Sequence, residues 1–182
     1  MATLLGISGS LRRGSFNTAL LHAAESLAPD GVRLEIATLH GIPLFDGDVE
    51  REGVPDVVTA LKDRIAECDG LLLATPEYNH SLPGPLKNAV DWLSRPQADQ
   101  PRVFHGRPVA LVGATPGPTG TRYAQTAWLP VIQNLGMRPW FGGAFYLSQA
   151  RQAFDESGTL MDPDYRERLR GFLAGFAEFL GR

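Results

Sequence analysis

A chain of 182 residues with 43% hydrophobic and 20% charged side chains is long enough to bury one substantial core and short for two domains, so one domain over 1–182 is expected. Its formal net charge of −3 offers no global attraction to nucleic acid or to an anionic membrane surface, and any phosphate must be held locally. No apolar run approaches the roughly 20 residues of a spanning helix, and the one cysteine, Cys68, builds neither an internal disulfide nor a thiolate metal site alone.

The opening MATLLGISGSLRRGSFN places a short apolar run ahead of its arginines, the reverse of a secretory leader, and the expected compartment is the cytoplasm. Residues 2–8 (ATLLGIS) break into GSLRRGS and lead to FNTALLHAAESLA, where Leu20, Leu21, Ala24 and Leu27 recur at helical spacing: strand, loop, helix. Residues 32–38 (VRLEIAT) alternate apolar and polar like a half-exposed strand near a sheet edge. The stretch LHGIPLFDGDVEREGVP is rich in Gly, Pro and Asp and predicts irregular structure. Residues 55–67 read as a helix with Pro55 in its first turn, Val58, Leu61 and Ile65 on one face, and Cys68 as a small structural residue at its end.

Residues 70–75 (GLLLAT) are apolar without interruption, as a central parallel strand covered on both faces must be. The loop PEYNHSLPG follows, then a helix over 85–94, a hydrophilic connection RPQADQPRVFHGR and a strand over 108–114 (PVALVGA). After the Gly/Pro loop TPGPTGTR come a helix over 123–135 and a short last strand over 137–141. A polar segment beyond Tyr146 ends in an amphipathic helix over 163–180, with Leu169, Phe172, Leu173, Phe176 and Leu180 facing inward. Five strands alternating with helices predict an α/β fold: a parallel sheet, right-handed crossovers and helices on both faces. Ligands of such sheets bind beyond the strands' carboxyl ends near the switch in strand order, which makes the loops after strands one, three and four the candidate site.

In the first of these loops, helix N-terminal N–H groups, the hydroxyls of Ser10 and Ser15, the Asn17 amide and the charge of Arg12 offer a phosphate cradle. The same residues also read as a helix cap, a loop bond and a solvated cation. The glycine spacing matches neither a Walker A loop nor the dinucleotide fingerprint, and a terminal phosphate monoester fits better.

The second loop and its helix, PEYNHSLPGPLKNAVDWLSR, together with GSLRRGSFN, resemble the signatures of the NADPH-dependent FMN reductase family, flavodoxin-like flavin, quinone and chromate reductases. The resemblance implies a three-layer sandwich with a five-stranded parallel sheet in the order 2-1-3-4-5. It implies that Ser10, Arg12, Ser15, Phe16 and Asn17 hold the FMN phosphate side. Pro76, Glu77, Tyr78 and Asn79 approach the ring, and Thr115, Gly117 and Gly120 bring backbone to its pyrimidine side. Pro116 and Pro118 restrict that third loop and remove donors. Lys87, Asn88 and Asp91 are carried over as scaffold, Lys87 and Asp91 also being spaced for an ion pair. His80 is the titratable group beside the second loop, although flavin chemistry needs no side-chain acid, base or nucleophile. Arg122, Tyr123 and Gln125 fit a nicotinamide phosphate, a neighbouring subunit or solvent equally.

The implied activity is oxidoreduction with FMN as cofactor and NADPH or NADH as hydride donor. The implied acceptor is a small molecule: a quinone, free flavin, an azo compound or chromate. A homodimer or homotetramer is also implied, for which Trp92, Trp128, Trp140 and Phe141 are anchors or core. The rival is a flavodoxin-type electron carrier, against which the modest acidity of the chain argues.

Overall fold

In the computed structural model, which describes residues 1–181, the two most apolar runs lie side by side. They are Ala2–Ser8 (β1) and Gly70–Ala74 (β3), paired in parallel from Leu4 against Gly70 to Ser8 against Ala74. All five residues of β3 are buried, the pattern of a strand covered on both faces. Val32–Ala37 (β2) flanks β1 and keeps the half-exposed character of an edge. Pro108–Ala114 (β4) flanks β3, and Arg138–Pro139 (β5) follows, giving the order β2-β1-β3-β4-β5, the predicted one.

Strand periodicity decides which helix meets which side chain, because neighbours along a strand face opposite sides. Leu4, Leu72, Ala110 and Val112 meet Phe16–Ser26 (α1) and the long helix Pro163–Leu180 (α8). Leu5, Ile7, Leu71, Leu73 and Val109 meet the other layer. That layer begins with Asp56–Glu67, which is α3, since the 39–55 stretch contains a one-turn α2, Gly47–Glu52. Gly84–Leu93 (α4) and Arg122–Asn134 complete it.

Three expectations need correction. The stretch expected to be irregular holds α2 because Asp46 caps it, accepting the Asp48 N–H at 2.8 Å, a residue whose type signals loops and helix starts alike. The connection before β4 contains a 3-10 turn, Gln97–Asp99, and a single helical turn, Gln100–Val103 (α5), so Arg122–Asn134 is α6. The last strand is cut to two residues. Trp140 still donates its N–H to the Val109 carbonyl at 2.9 Å and packs its ring on Phe172 and Phe176 of α8, with centroids 4.8 and 5.7 Å away, and the chain leaves the sheet beyond it. The chain returns at Phe145–Leu147 (β6), parallel to the far half of β4, with Val112 opposite Phe145 and Ala114 opposite Leu147. One more turn, Ala150–Ala153 (α7), follows within the segment read only as polar.

Candidate functional site

The carboxyl ends of β1, β3 and β4 feed one cavity of about 260 Å³, lined by Ser10, Arg12, Ser15, Phe16, Asn17, Pro76, Glu77, Tyr78, Ala114, Thr115, Pro116 and Arg151. A larger groove of about 780 Å³ shares Ser15 and Phe16 but runs between α1 and residues 155–160, and nothing from the loops after β3 or β4 lines it.

The first loop ends where Ser15 caps α1, its hydroxyl accepting the Thr18 N–H at 3.3 Å. The Ser15 carbonyl takes the Ala19 N–H at 2.9 Å. The Phe16 and Asn17 N–H groups therefore belong to the first turn and have no partner within the helix. Ser10 is buried, and its hydroxyl accepts the Arg12 N–H at 3.3 Å. The Arg12 guanidinium stands 5.3 Å from the centre of the Phe16 ring. Arg151 enters the same cavity from α7. A helix N-terminus, two hydroxyls and two guanidinium groups form a donor set suited to a doubly charged phosphate.

Asn17 is buried, and its amide is already engaged: it donates to the Ala114 carbonyl and accepts the Ala114 N–H, both at 3.0 Å. This paired contact continues the β4 ladder with a side chain, tying the first loop to the third. Thr115 begins that third loop with its N–H on the Leu147 carbonyl and its carbonyl taking the Ala150 N–H, both at 3.0 Å.

The second loop leaves β3 at Thr75, which is fully buried. The Thr75 hydroxyl accepts the Trp128 indole N–H at 3.0 Å and donates to the Pro76 carbonyl at 2.9 Å. Tyr78 and Ser81 then exchange both backbone bonds across a two-residue turn in which Asn79 and His80 have φ of 50° and 58°, the twist a tight hairpin requires. Asn79 occupies that turn and does not line the cavity. The Glu77 carboxylate crosses to the third loop, accepting from the Thr119 hydroxyl and from the N–H groups of Tyr123 and Ala124. The His80 ring rests on that of Tyr123, centroids 4.7 Å apart.

Gly117 and Gly120 likewise stand outside the cavity lining. The Gly117 carbonyl takes the Gln149 N–H at 3.0 Å. Gly120, at φ 61°, lies so close to β6 that a Cβ would stand 2.7 Å from the Tyr146 Cβ, which makes it a packing glycine. Sequence reasoning missed Ala114, Pro116 and Arg151. The first two adjoin residues it chose. Arg151 carries no local motif, and only the return of β6 beside β4 brings it to the first loop.

Of the scaffold residues, Lys87 and Asp91 pair as their spacing predicts, while Asn88 fastens the stretch before α2 and not the second loop. Lys87 bonds Asp91 at 2.6 Å, and Asn88 accepts the Phe45 N–H and donates to the Pro43 carbonyl, both at 2.8 Å. Trp92 and Trp128 are fully buried core, while Phe141 is 72% exposed. Gln125 is turned inward to the Phe145 carbonyl, and Arg122 stacks over the Tyr146 ring at 5.3 Å.

A family model described as NADPH-dependent FMN reductase matches residues 2–152. An NAD(P)H-dependent FMN reductase of Pseudomonas aeruginosa is 44% identical, covering 92% of this chain and 89% of its own. A 2-hydroxy-1,4-benzoquinone reductase of a Burkholderia species is 38% identical over 96% and 93% of the two chains. Among solved structures, a flavoenzyme NAD(P)H:(acceptor) oxidoreductase from Paracoccus denitrificans superimposes with a TM-score of 0.87 at 33% identity, covering 100% of this chain and 98% of that one. Sequence, topology and site agree, and the chain belongs to the NADPH-dependent FMN reductase family.

Proposed function

We propose that this chain is an NAD(P)H-dependent, FMN-binding reductase of small acceptors, quinones first among them, and that residues 1–182 act as one unit. The observation that carries the reading is the convergence of three carboxyl-end loops on one cavity with a phosphate-suited donor set at one side. When bound, FMN would supply the redox chemistry, hydride acceptance from NAD(P)H and two-electron reduction of the acceptor. The protein's share is binding and orientation. Arg12, Arg151, the Ser10 and Ser15 hydroxyls and the first turn of α1 hold the phosphate. Pro76, Tyr78, Thr115 and Pro116 line the remainder, with the 45% exposed Tyr78 at the open side where donor and acceptor take turns. Quinone is favoured as acceptor because relatives covering nearly the whole chain reduce quinones by name. The proposed assembly is a homodimer or homotetramer with Phe141 as an available anchor, to be read by sedimentation.

Visible absorbance of the purified chain with FMN tests the function. An oxidised-flavin spectrum bleached by NADPH without oxygen and restored by a quinone is the expected result. Bound flavin that ignores both NADPH and NADH would make the chain an electron carrier, and absence of FMN binding would overturn the assignment.

A further inference from the structure

The first turn of α6 needs a cap that the residues beside it do not provide. Thr121 occupies the N-cap position at φ 66° and ψ 23° and makes no side-chain cap bond, since a capping side chain normally depends on an extended backbone there. Its hydroxyl is turned to Gln125 Nε2 at 3.1 Å instead. Thr121 is fully buried against Gly113, where a Cβ would stand 1.9 Å from the Thr121 hydroxyl oxygen. Glu77 fills the vacancy from another loop. One carboxylate oxygen takes the Thr119 hydroxyl at 2.9 Å, and the other takes the N–H groups of Tyr123 at 2.9 Å and Ala124 at 3.2 Å. These are the second and third residues of the helix, the amides a cap normally satisfies, and the negative charge also meets the positive end of the helix dipole.

We propose that Glu77 is a positioning residue that caps α6 across the site and so fixes the third loop against the second, setting the shape of the flavin pocket between them. The third loop is then held at both ends. Its start is tied to β6 and α7 through the Thr115 backbone, and its end is tied to Glu77. Glu77 itself lines the pocket, between Pro76 and Tyr78, so any slackening of the cap moves two walls together. The inference rests on the proposed FMN site for its consequence but not for the cap.

The test compares Glu77→Ala and Glu77→Gln with Asp162→Ala, which removes a cap of the same kind, on the Tyr165 N–H of α8, a helix none of whose residues lines the pocket. Amide exchange in the flavin-free full chain reads the cap directly: Tyr123 and Ala124 exchange about tenfold faster in Glu77→Ala and less so in Glu77→Gln, which keeps one acceptor oxygen. FMN and riboflavin affinity, from quenching of flavin fluorescence, read the pocket. If loss of the cap lowers the binding-competent fraction about tenfold, both ligands weaken about tenfold in Glu77→Ala, while Asp162→Ala stays within about twofold. A carboxylate that only neighboured the phosphate would give the opposite sign, since its removal would tighten FMN and leave riboflavin unchanged. That result, unaltered exchange at Tyr123 and Ala124, or an equal loss of flavin binding in Asp162→Ala, overturns the proposal. If the unmodified chain binds no flavin, the functional assignment fails, and the exchange rates alone decide whether Glu77 is the cap.

Discussion

At the scale of single residues, burial decides what each polar group can do. Asn17 looks from its position like a phosphate ligand, yet its amide satisfies both backbone groups of Ala114. Asn17→Ala would leave a buried N–H and C=O without these partners, at a cost of about 2–4 kcal/mol in urea unfolding. Cys68 is the converse case. Burial pushes its thiol above the ordinary 9.0, with the Arg107 charge opposing. The folded chain therefore keeps the neutral thiol where the unfolded chain ionises. The stability this confers is complete below about pH 9 and declines as pH rises through the folded value. Native protein should react slowly with thiol reagents, and Cys68→Ala should flatten the alkaline fall in the urea midpoint.

At the scale of elements, the ends of helices are fastened by groups from elsewhere. Glu77 caps the start of α6, and Arg107 reaches the end of α3, donating to the carbonyls of Ala66 and Cys68. Lys62 of α3 is 1% exposed and pairs with the Arg95 carbonyl and with Asp99 Oδ2, the latter at 3.0 Å. Hydrogen bonds from Arg102 and then from Lys62 hold the Asp99 carboxyl below its ordinary 3.8. A depressed acid contributes stability above its ordinary value and loses it as pH falls through the folded one. Asp99→Asn should cost about 1–3 kcal/mol at neutral pH by depriving a buried ammonium of its counter-charge, and should flatten the acid limb of stability below about pH 4. The Glu77, Arg107 and Lys62 fastenings are not legible in the sequence, because their partners lie 33–47 positions apart.

At the scale of the whole molecule, ligand and fold are linked. FMN at about 100 times its dissociation constant should raise stability by about 2.7 kcal/mol and the melting temperature by about 5–10 °C. Riboflavin, lacking the phosphate that Arg12 and Arg151 meet, should raise it less, and the difference should shrink in an Arg12→Ala, Arg151→Ala double variant. Hydropathy period marked out β1, β3 and β4 and the longer helices α1, α3 and α4 between them. Once strands and crossovers alternate, the handedness of the connections leaves few arrangements, and the site must fall on the three loops that the Gly, Pro and Ser residues announce. The break in the last strand lay beyond that reading: the chain parts from β4 only after Trp140, whose N–H still meets Val109 and whose ring meets aromatic partners on α8 more than 30 residues later. So did the cavity's second guanidinium and the cap that Glu77 lends to α6. Local sequence determines which segments are strand, helix or loop, since propensity and periodicity act over neighbouring residues; which loop residue meets a ligand and which meets another loop is decided by contacts that exist only after the sheet has assembled.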